Sequence, residues 1–446
     1  MHKDDLDREY SQALRDLKEL IRFPTVAWPG FDRSVLFESA ERIRALLVDT
    51  DFFDCVEVVD HCGIPSVFAQ KVPAPGYPTV LLYAHHDVQP AGDPDKWVTP
   101  AFSPDERDGR LYGRGAADDK VAIAMHLASV RILKTLNSKI GVRVFIEGEE
   151  EILSPNFPKL LKSRRSFFDA DVAIIADSGN PDEDTPAITV SLRGSIGATV
   201  RVTTLSHAAH SGLGGAVPDA LMVMIRLLNS LYDDSGSVAI EGLKTTDPSS
   251  VLTDFELTEQ ALRNEVGVLP DVSLVGRGSI SERTWHAPSI TIIGLDVENV
   301  DLASNTLQPS TQARLALRIS PGQGTLEASR LLEQHLRNNT PFNARVEVFD
   351  ITAGEPYRAV AGDKYLKAMR CAMEEAWGKR PALIGIGCSI PIVSMLQSEF
   401  PQMSLLVTGV EDPKTYAHSP NESLSLKVFR NAIAAQVYFL LSLGGE

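Results

Sequence analysis

Apolar positions along the chain fall into two rhythms. Leu6, Tyr10, Leu14, Leu17, Leu20 and Ile21 recur at three- and four-residue steps, which predicts an amphipathic helix closing before Pro24. Largely apolar runs follow at residues 79–84 (TVLLYA), 142–147 (VRVFIE), 172–176 (VAIIA) and 404–408 (SLLVT). Runs this short read as strands covered on both faces, as in a parallel sheet. Helical patterns at 122–133, 364–377, 390–400 and 423–443, with a further strand at 382–386, alternate with them and predict an α/β domain.

The middle of the chain reads differently. Strands are predicted at 196–203, 289–295, 313–319 and 344–349, with helices at 218–232 and 325–337. That order is βαββαβ, the split ferredoxin-like motif. Residues 241–287, rich in Gly, Pro, Ser and Thr, form an irregular stretch with room for a helix around 258–264. The expected architecture is a discontinuous α/β catalytic domain, residues 1–190 and 355–446, whose mainly parallel sheet is flanked by helices. An α+β domain, residues 191–354, is inserted into it.

Composition narrows the class. With 446 residues the chain is expected to hold roughly two or three domains. Hydrophobic residues at 43% and charged residues at 23% are those of a globular protein. A net charge of -16 argues against nucleic acid or an anionic membrane as partner, since both are held by clustered Lys and Arg. Residues 1–16 lack the basic and then apolar pattern of a secretory leader, and no run reads as the ~20 apolar residues of a membrane span. Cys55, Cys62, Cys371 and Cys388 show no CxxC spacing. The expectation is a cytoplasmic protein without nucleic-acid or membrane partners.

The chemistry lies at the ends of the apolar runs. His85 and Asp87 follow the first, Glu149, Glu150 and Glu151 the second, Asp177 the third, and His418 comes after the fourth. Parallel sheets place ligands beyond the carboxyl ends of their strands, so one sheet edge can gather carboxylates and imidazoles into a two-metal hydrolase centre. Each residue alone has a plainer reading. Asp118, in Gly113-Arg114-Gly115-Ala116-Ala117-Asp118-Asp119-Lys120, could cap the helix that follows. The glutamates could be a solvated turn, and Asp177 could open a turn with Ser178 and Gly179. The glycine-containing loop lacks both phosphate-binding spacings.

Jointly, these segments resemble the co-catalytic dinuclear-metal peptidases, the family of carnosinase-like dipeptidases, aminoacylases, glutamate carboxypeptidases and acetylornithine deacetylases. The H-x-D motif is His85-His86-Asp87, the W…P-x-F-x-P segment is Trp97, Pro100, Phe102 and Pro104, and G-R-G-x-x-D-x-K is Gly113 to Lys120. The paired glutamates are Glu150-Glu151, and the last motif is Ala417-His418-Ser419-Pro420-Asn421-Glu422.

The resemblance implies two divalent ions per subunit: zinc first, manganese or cobalt as alternatives. His85, Asp118 and Asp177 would hold one ion, and Asp118, Glu151 and His418 the other. Asp87 would orient His85, and Glu150 would take a proton from water between the ions and pass it to the leaving amine. His210, a better match than His207, corresponds to a histidine of the inserted domain that serves the partner subunit's active site, which implies a homodimer. Asn305, Arg318 and Ser389 match substrate-binding positions, Arg318 suiting a carboxylate. Arg318 could equally be the polar face of a strand, and Cys388 could be a catalytic thiol, although no base partner for it is visible.

An Asp at position 177 resembles the dipeptidase branch, as does the long insertion before Trp285. The expected activity is hydrolysis of dipeptides or very short peptides. An N-acyl-amino-acid deacylase or carboxypeptidase with the same centre is the alternative, and a non-catalytic relative is the third reading.

Overall fold

The apolar runs become the middle of one sheet because nearly every position in them is buried. In the computed structural model, which describes residues 3–444, all of Thr79–His85 is buried. It pairs in parallel with Gly141–Glu147 on one side and Val172–Ile175 on the other, and Ser404–Val407 continues the parallel pairing beyond Val172–Ile175. The sheet is mixed. Ile64–Lys71 runs antiparallel to Gly141–Glu147, Cys55–His61 runs antiparallel to Ile64–Lys71, and Val407 meets Thr189 of Ala187–Leu192 in antiparallel sense. The outer hairpin turns on Cys62 (φ 58) and Gly63 (φ 82). Two successive positive φ values match the twist of a two-residue hairpin.

Lys3–Ile21 packs on Lys120–Thr135, and Leu426–Gly444 packs on both Lys120–Thr135 and Lys364–Trp377. Leu426–Gly444 is long and apolar enough to cross a membrane, against the expectation that no segment reads so, but 56% of it is buried inside the protein. Val428, Phe429, Ile433, Val437 and Leu440 are among its buried residues. The helix starts later than its periodicity suggests. Ser423–Ser425 pairs with Arg110–Tyr112 as a short antiparallel strand first, and the helix begins at Leu426.

Two compact units result, one taking the chain up to Val190, Ala359–Ile384 and Pro391 onward, the other Ser191–Arg358 with Gly385–Ile390. The second unit is a four-stranded antiparallel sheet in the order Ser289–Leu295, Ser310–Ile319, Gly194–Thr203, Arg345–Gly354. Strict alternation of buried and half-buried residues along Gly194–Thr203 gives that sheet one apolar face. Ile196, Ala198, Val200, Leu315 and Leu317 form a common core with Val223 and Leu227 of Ala220–Asn229 and Leu332 and Leu336 of Thr325–Asn338.

The boundary differs from the expected 191–354. Residues 355–358 and 385–390 also group with the second unit, and hydrogen bonds tie them to Leu192 and Arg193 at its start. The Arg193 amide donates to the Ile386 carbonyl (3.2 Å), and the Arg193 Nε to the Gly387 carbonyl (3.0 Å). Tyr357 pairs with Leu192. Ser389 is therefore a residue of the second unit rather than of the first.

Candidate metal centre

Parallel register delivers the side chains. His85 is the last residue of its strand, opposite Glu147, and Asp177 comes two residues after Val172–Ile175. Beyond Ser404–Val407 the chain runs on beside the 178–180 segment, with Gly179 and Glu411 bridged in parallel. The approach there needs a glycine, since a Cβ on Gly409 would meet the Ser178 carbonyl oxygen at 1.7 Å. The loop that follows carries His418, an exposed residue in left-handed conformation (φ 63).

Asp118 is the junction. One of its oxygens is 3.1 Å from His85 Nε2 and the other 2.9 Å from His418 Nε2. Asp177 Oδ1 is 3.9 Å from the same His85 nitrogen, and Glu151 Oε2 is 3.4 Å from the same His418 nitrogen. Two donor triads result, His85-Asp118-Asp177 and Asp118-Glu151-His418, with the donor atoms of each within 4.8 Å of one another. His85 Nε2 and Glu151 Oε1 are buried without a hydrogen-bond partner. Buried polar atoms are normally satisfied, so donor-poor carboxylates and an orphaned imidazole nitrogen facing one another fit divalent cations. Asp118 does not cap the following helix. Asp119 takes the capping position without a side-chain cap, while its carboxylate accepts the His85 amide (3.2 Å).

Asp87 meets His85 and also the glutamate turn. His85 Nδ1 is bonded to the Asp87 backbone carbonyl at 3.0 Å, and the carboxylate stands off at 3.5 Å. That carboxylate also accepts the amides of Glu150 (3.2 Å) and Glu151 (3.0 Å). One residue thus fixes the imidazole through its main chain and the glutamate turn through its side chain. Sequence spacing could not separate these roles.

The glutamates divide. Glu149 is spent on Asn156, accepting its amide and side-chain N–H at 2.8 Å each. Glu151 accepts from Gln89 Nε2 at 2.6 Å, a partner the sequence reading missed although Gln89 lies two residues past Asp87. Glu150 is bonded through its backbone, and its carboxyl is pushed well above the usual range by burial and the Asp177 charge.

The neighbouring groups shift in step. Burial and the Asp118 charge hold Glu151 up at about 8, burial holds Asp177 at about 6, and the hydrogen bond to Asp118 holds His418 at about 9. A carboxylic acid or imidazole whose pKa rises on folding stabilises the folded state fully below its unfolded value and loses that contribution as pH climbs through the folded value. Metal-free protein is therefore expected to lose stability between about pH 5 and 9. Calorimetry of chelator-stripped and metal-loaded protein across this range should show their melting temperatures separating as pH rises. A stripped protein that grows more stable with pH would contradict this electrostatic picture.

In the second unit, Ala209–His210 pairs with Thr306–Leu307, and the Ser211 amide donates to the Asn305 carbonyl at 2.9 Å, so His210 and Asn305 are neighbours. His210 Nδ1 accepts the Gly212 amide (3.0 Å), which leaves Nε2 of the neutral ring as the N–H donor, the tautomer suited to an anion. His207 instead meets Ser206 Oγ. Arg318 lies opposite Ser195 in the sheet, and Ser389 Oγ donates to Ser195 Oγ at 3.1 Å. Two neighbouring arginines of the sheet are engaged, Arg314 with Thr199 and Arg201 with Gln312, whereas Arg318 has no ion-pair partner among the described residues. Arg193, buried and beside Arg318, spends its N–H groups on the Gly387 and Ala287 carbonyls and Ser289. Burial and Arg318 lower its pKa to about 10.

A family model, Peptidase family M20/M25/M40, matches residues 81–442. The chain belongs to peptidase family M20/M25/M40. It is 33% identical over 390 residues to a cysteinylglycine-S-conjugate dipeptidase of Corynebacterium striatum, a match covering 85% of this chain and 84% of that one. The solved structure of the di-peptidase Dug1p from Saccharomyces cerevisiae superposes with a TM-score of 0.82 at 23% identity, covering 99% of this chain and 98% of that one. An M20 family metallo-carboxypeptidase from Sulfolobus solfataricus gives 0.85 at 21% identity, covering 98% and 100%. This M20 chain is thus a metallopeptidase of α/β fold, from a family with dinuclear metal-binding members.

Proposed function

We propose that this M20 peptidase hydrolyses dipeptides or very short peptides at a centre for two divalent ions. The observation carrying the reading is Asp118, whose two oxygens each face a different histidine. His85, Asp118 and Asp177 would hold one ion and Asp118, Glu151 and His418 the other, with zinc the first choice for imidazole and carboxylate donors, manganese or cobalt the alternatives. When bound, such ions polarise a carbonyl and make water acidic enough to attack near neutral pH.

The chain's residues supply the rest. Glu150 takes the proton of the attacking water and returns it to the leaving amine. Asp87 holds Glu150 and Glu151 by their amides and His85 by its own carbonyl. His210, with Nε2 as donor, stabilises the developing oxyanion, and Asn305, Arg318 and Ser389 bind the substrate, Arg318 taking the terminal carboxylate. We further propose a homodimer assembled through the second unit, with His210 serving the other copy's centre, in a cytoplasmic setting without nucleic-acid or membrane partners. The net charge of -16 favours that choice of partners.

Dipeptide specificity is favoured by the name of the Corynebacterium relative and by Asp at position 177. Metal-loaded protein should cleave free dipeptides and turn over their N-acetylated counterparts at least about tenfold more slowly, a gap of about 1.4 kcal/mol in the barrier. Faster cleavage of the N-acetylated set would transfer the assignment to a deacylase or carboxypeptidase. No hydrolysis of either set by protein holding its ions would point to a non-catalytic relative.

A further inference from the structure

The motifs carrying Asp118 and His418 are joined beneath the surface by a pair that neither role uses. Glu422 is completely buried and Arg114 nearly so, with Nη1 of Arg114 2.6 Å from Glu422 Oε2. That oxygen also accepts the Gly115 amide (3.2 Å), and the other accepts the amides of Ala117 (3.0 Å) and Asp118 (3.2 Å). The Glu422 carbonyl accepts the Gly113 amide at 3.0 Å. Arg114 Nη2 reaches the carbonyls of Pro90 and Ser419 at 3.4 Å each.

We propose that Arg114 and Glu422 are positioning residues for the metal centre, setting the distance between Asp118 and His418 and so the affinity for the ion they share. The proposal rests on the metal-centre reading above. A buried carboxylate must be satisfied, and Glu422 is satisfied by the backbone amides of the loop that presents Asp118, including the Asp118 amide itself. His418, four residues earlier, is exposed and cannot be fixed by packing of its ring. Its neighbour Ser419 is held at the carbonyl by Arg114 and at the amide by Tyr416 (3.0 Å). Pro90 extends the same clamp to the loop of His85 and Asp87. One ion pair therefore ties three ligand-bearing loops together without touching a ligand side chain. Partners of this kind typically change metal affinity by about 10- to 100-fold when removed.

The test is Glu422→Gln in the full chain, since an amide puts an N–H group where backbone N–H donors or Arg114 need an acceptor. Chelator competition should show at least one ion bound about 10- to 100-fold more weakly, with the visible spectrum of cobalt-loaded protein altered and KM little changed once metal is in excess. The variant also strands Arg114, so Arg114→Met/Glu422→Gln is made alongside. It should recover melting temperature but not metal affinity, because Met and Gln remove the unpaired charge without restoring the carboxylate. A purely structural role predicts the opposite, a lower melting temperature with unchanged affinity in the folded protein, and that result in either variant would overturn the proposal. Should wild type itself bind no ion, the metal-centre reading fails instead, which keeps the two failures apart.

Discussion

Glu150→Gln should keep both ions and lose turnover by about 10²- to 10⁴-fold, the range a positioned general base contributes. The substitution is isosteric, and both amides that Asp87 holds are backbone groups, so the turn carrying Glu151 should be undisturbed. What disappears is the carboxylate whose pKa burial and Asp177 have raised, the condition that turns a glutamate into a base able to pass its proton on. Metal analysis beside steady-state kinetics decides the matter. A variant with full metal content and wild-type rate would take Glu150 out of the mechanism. Glu149→Gln is the control: that carboxylate is committed to Asn156, so its loss should act on stability of the turn more than on turnover.

The difference between these adjacent glutamates marks how far the sequence could be read. Which strands exist was legible because TVLLYA, VRVFIE and VAIIA are mostly apolar on both faces, with Arg143 the one half-buried exception, and residues that follow such runs must emerge at one sheet edge. The donor triads were legible through the joint motif resemblance, and the distances around Asp118 agree with its sharing. Less legible was anything decided by main-chain direction. Asp87 sits at the spacing of an orienting carboxylate, but the sequence did not show that its carbonyl makes the closer contact with the ring or that its carboxylate also holds the glutamate turn. Glu422 reads as a polar residue in a loop, and only the fold reveals four donors around it. The hairpin over residues 55–71 escaped because its outer strand is half-buried and carries no clean alternation. Ser389 was assigned to the wrong unit because an α/β pattern in the sequence records local structure and not which strand a loop bonds to.

Asp118→Asn should have the widest consequence of any single change, since both triads use this side chain. An amide retains one oxygen acceptor and replaces the other with N–H, so one of the two histidines would face a donor where a carboxylate oxygen stood. Whichever way the amide turns, one triad loses a donor and the other loses the negative charge that helps balance a divalent ion. The expected result is fewer than one tightly bound ion per chain, with loss of several kcal/mol of charge stabilisation and a fall in turnover of more than about a thousandfold. Asp177→Asn and His418→Ala supply the comparison, because each touches one triad and should spare the other ion. Metal content after exhaustive dialysis distinguishes them directly. If Asp118→Asn holds as much metal as His418→Ala, Asp118 serves only one ion, and the shared-carboxylate reading gives way to two independent sites.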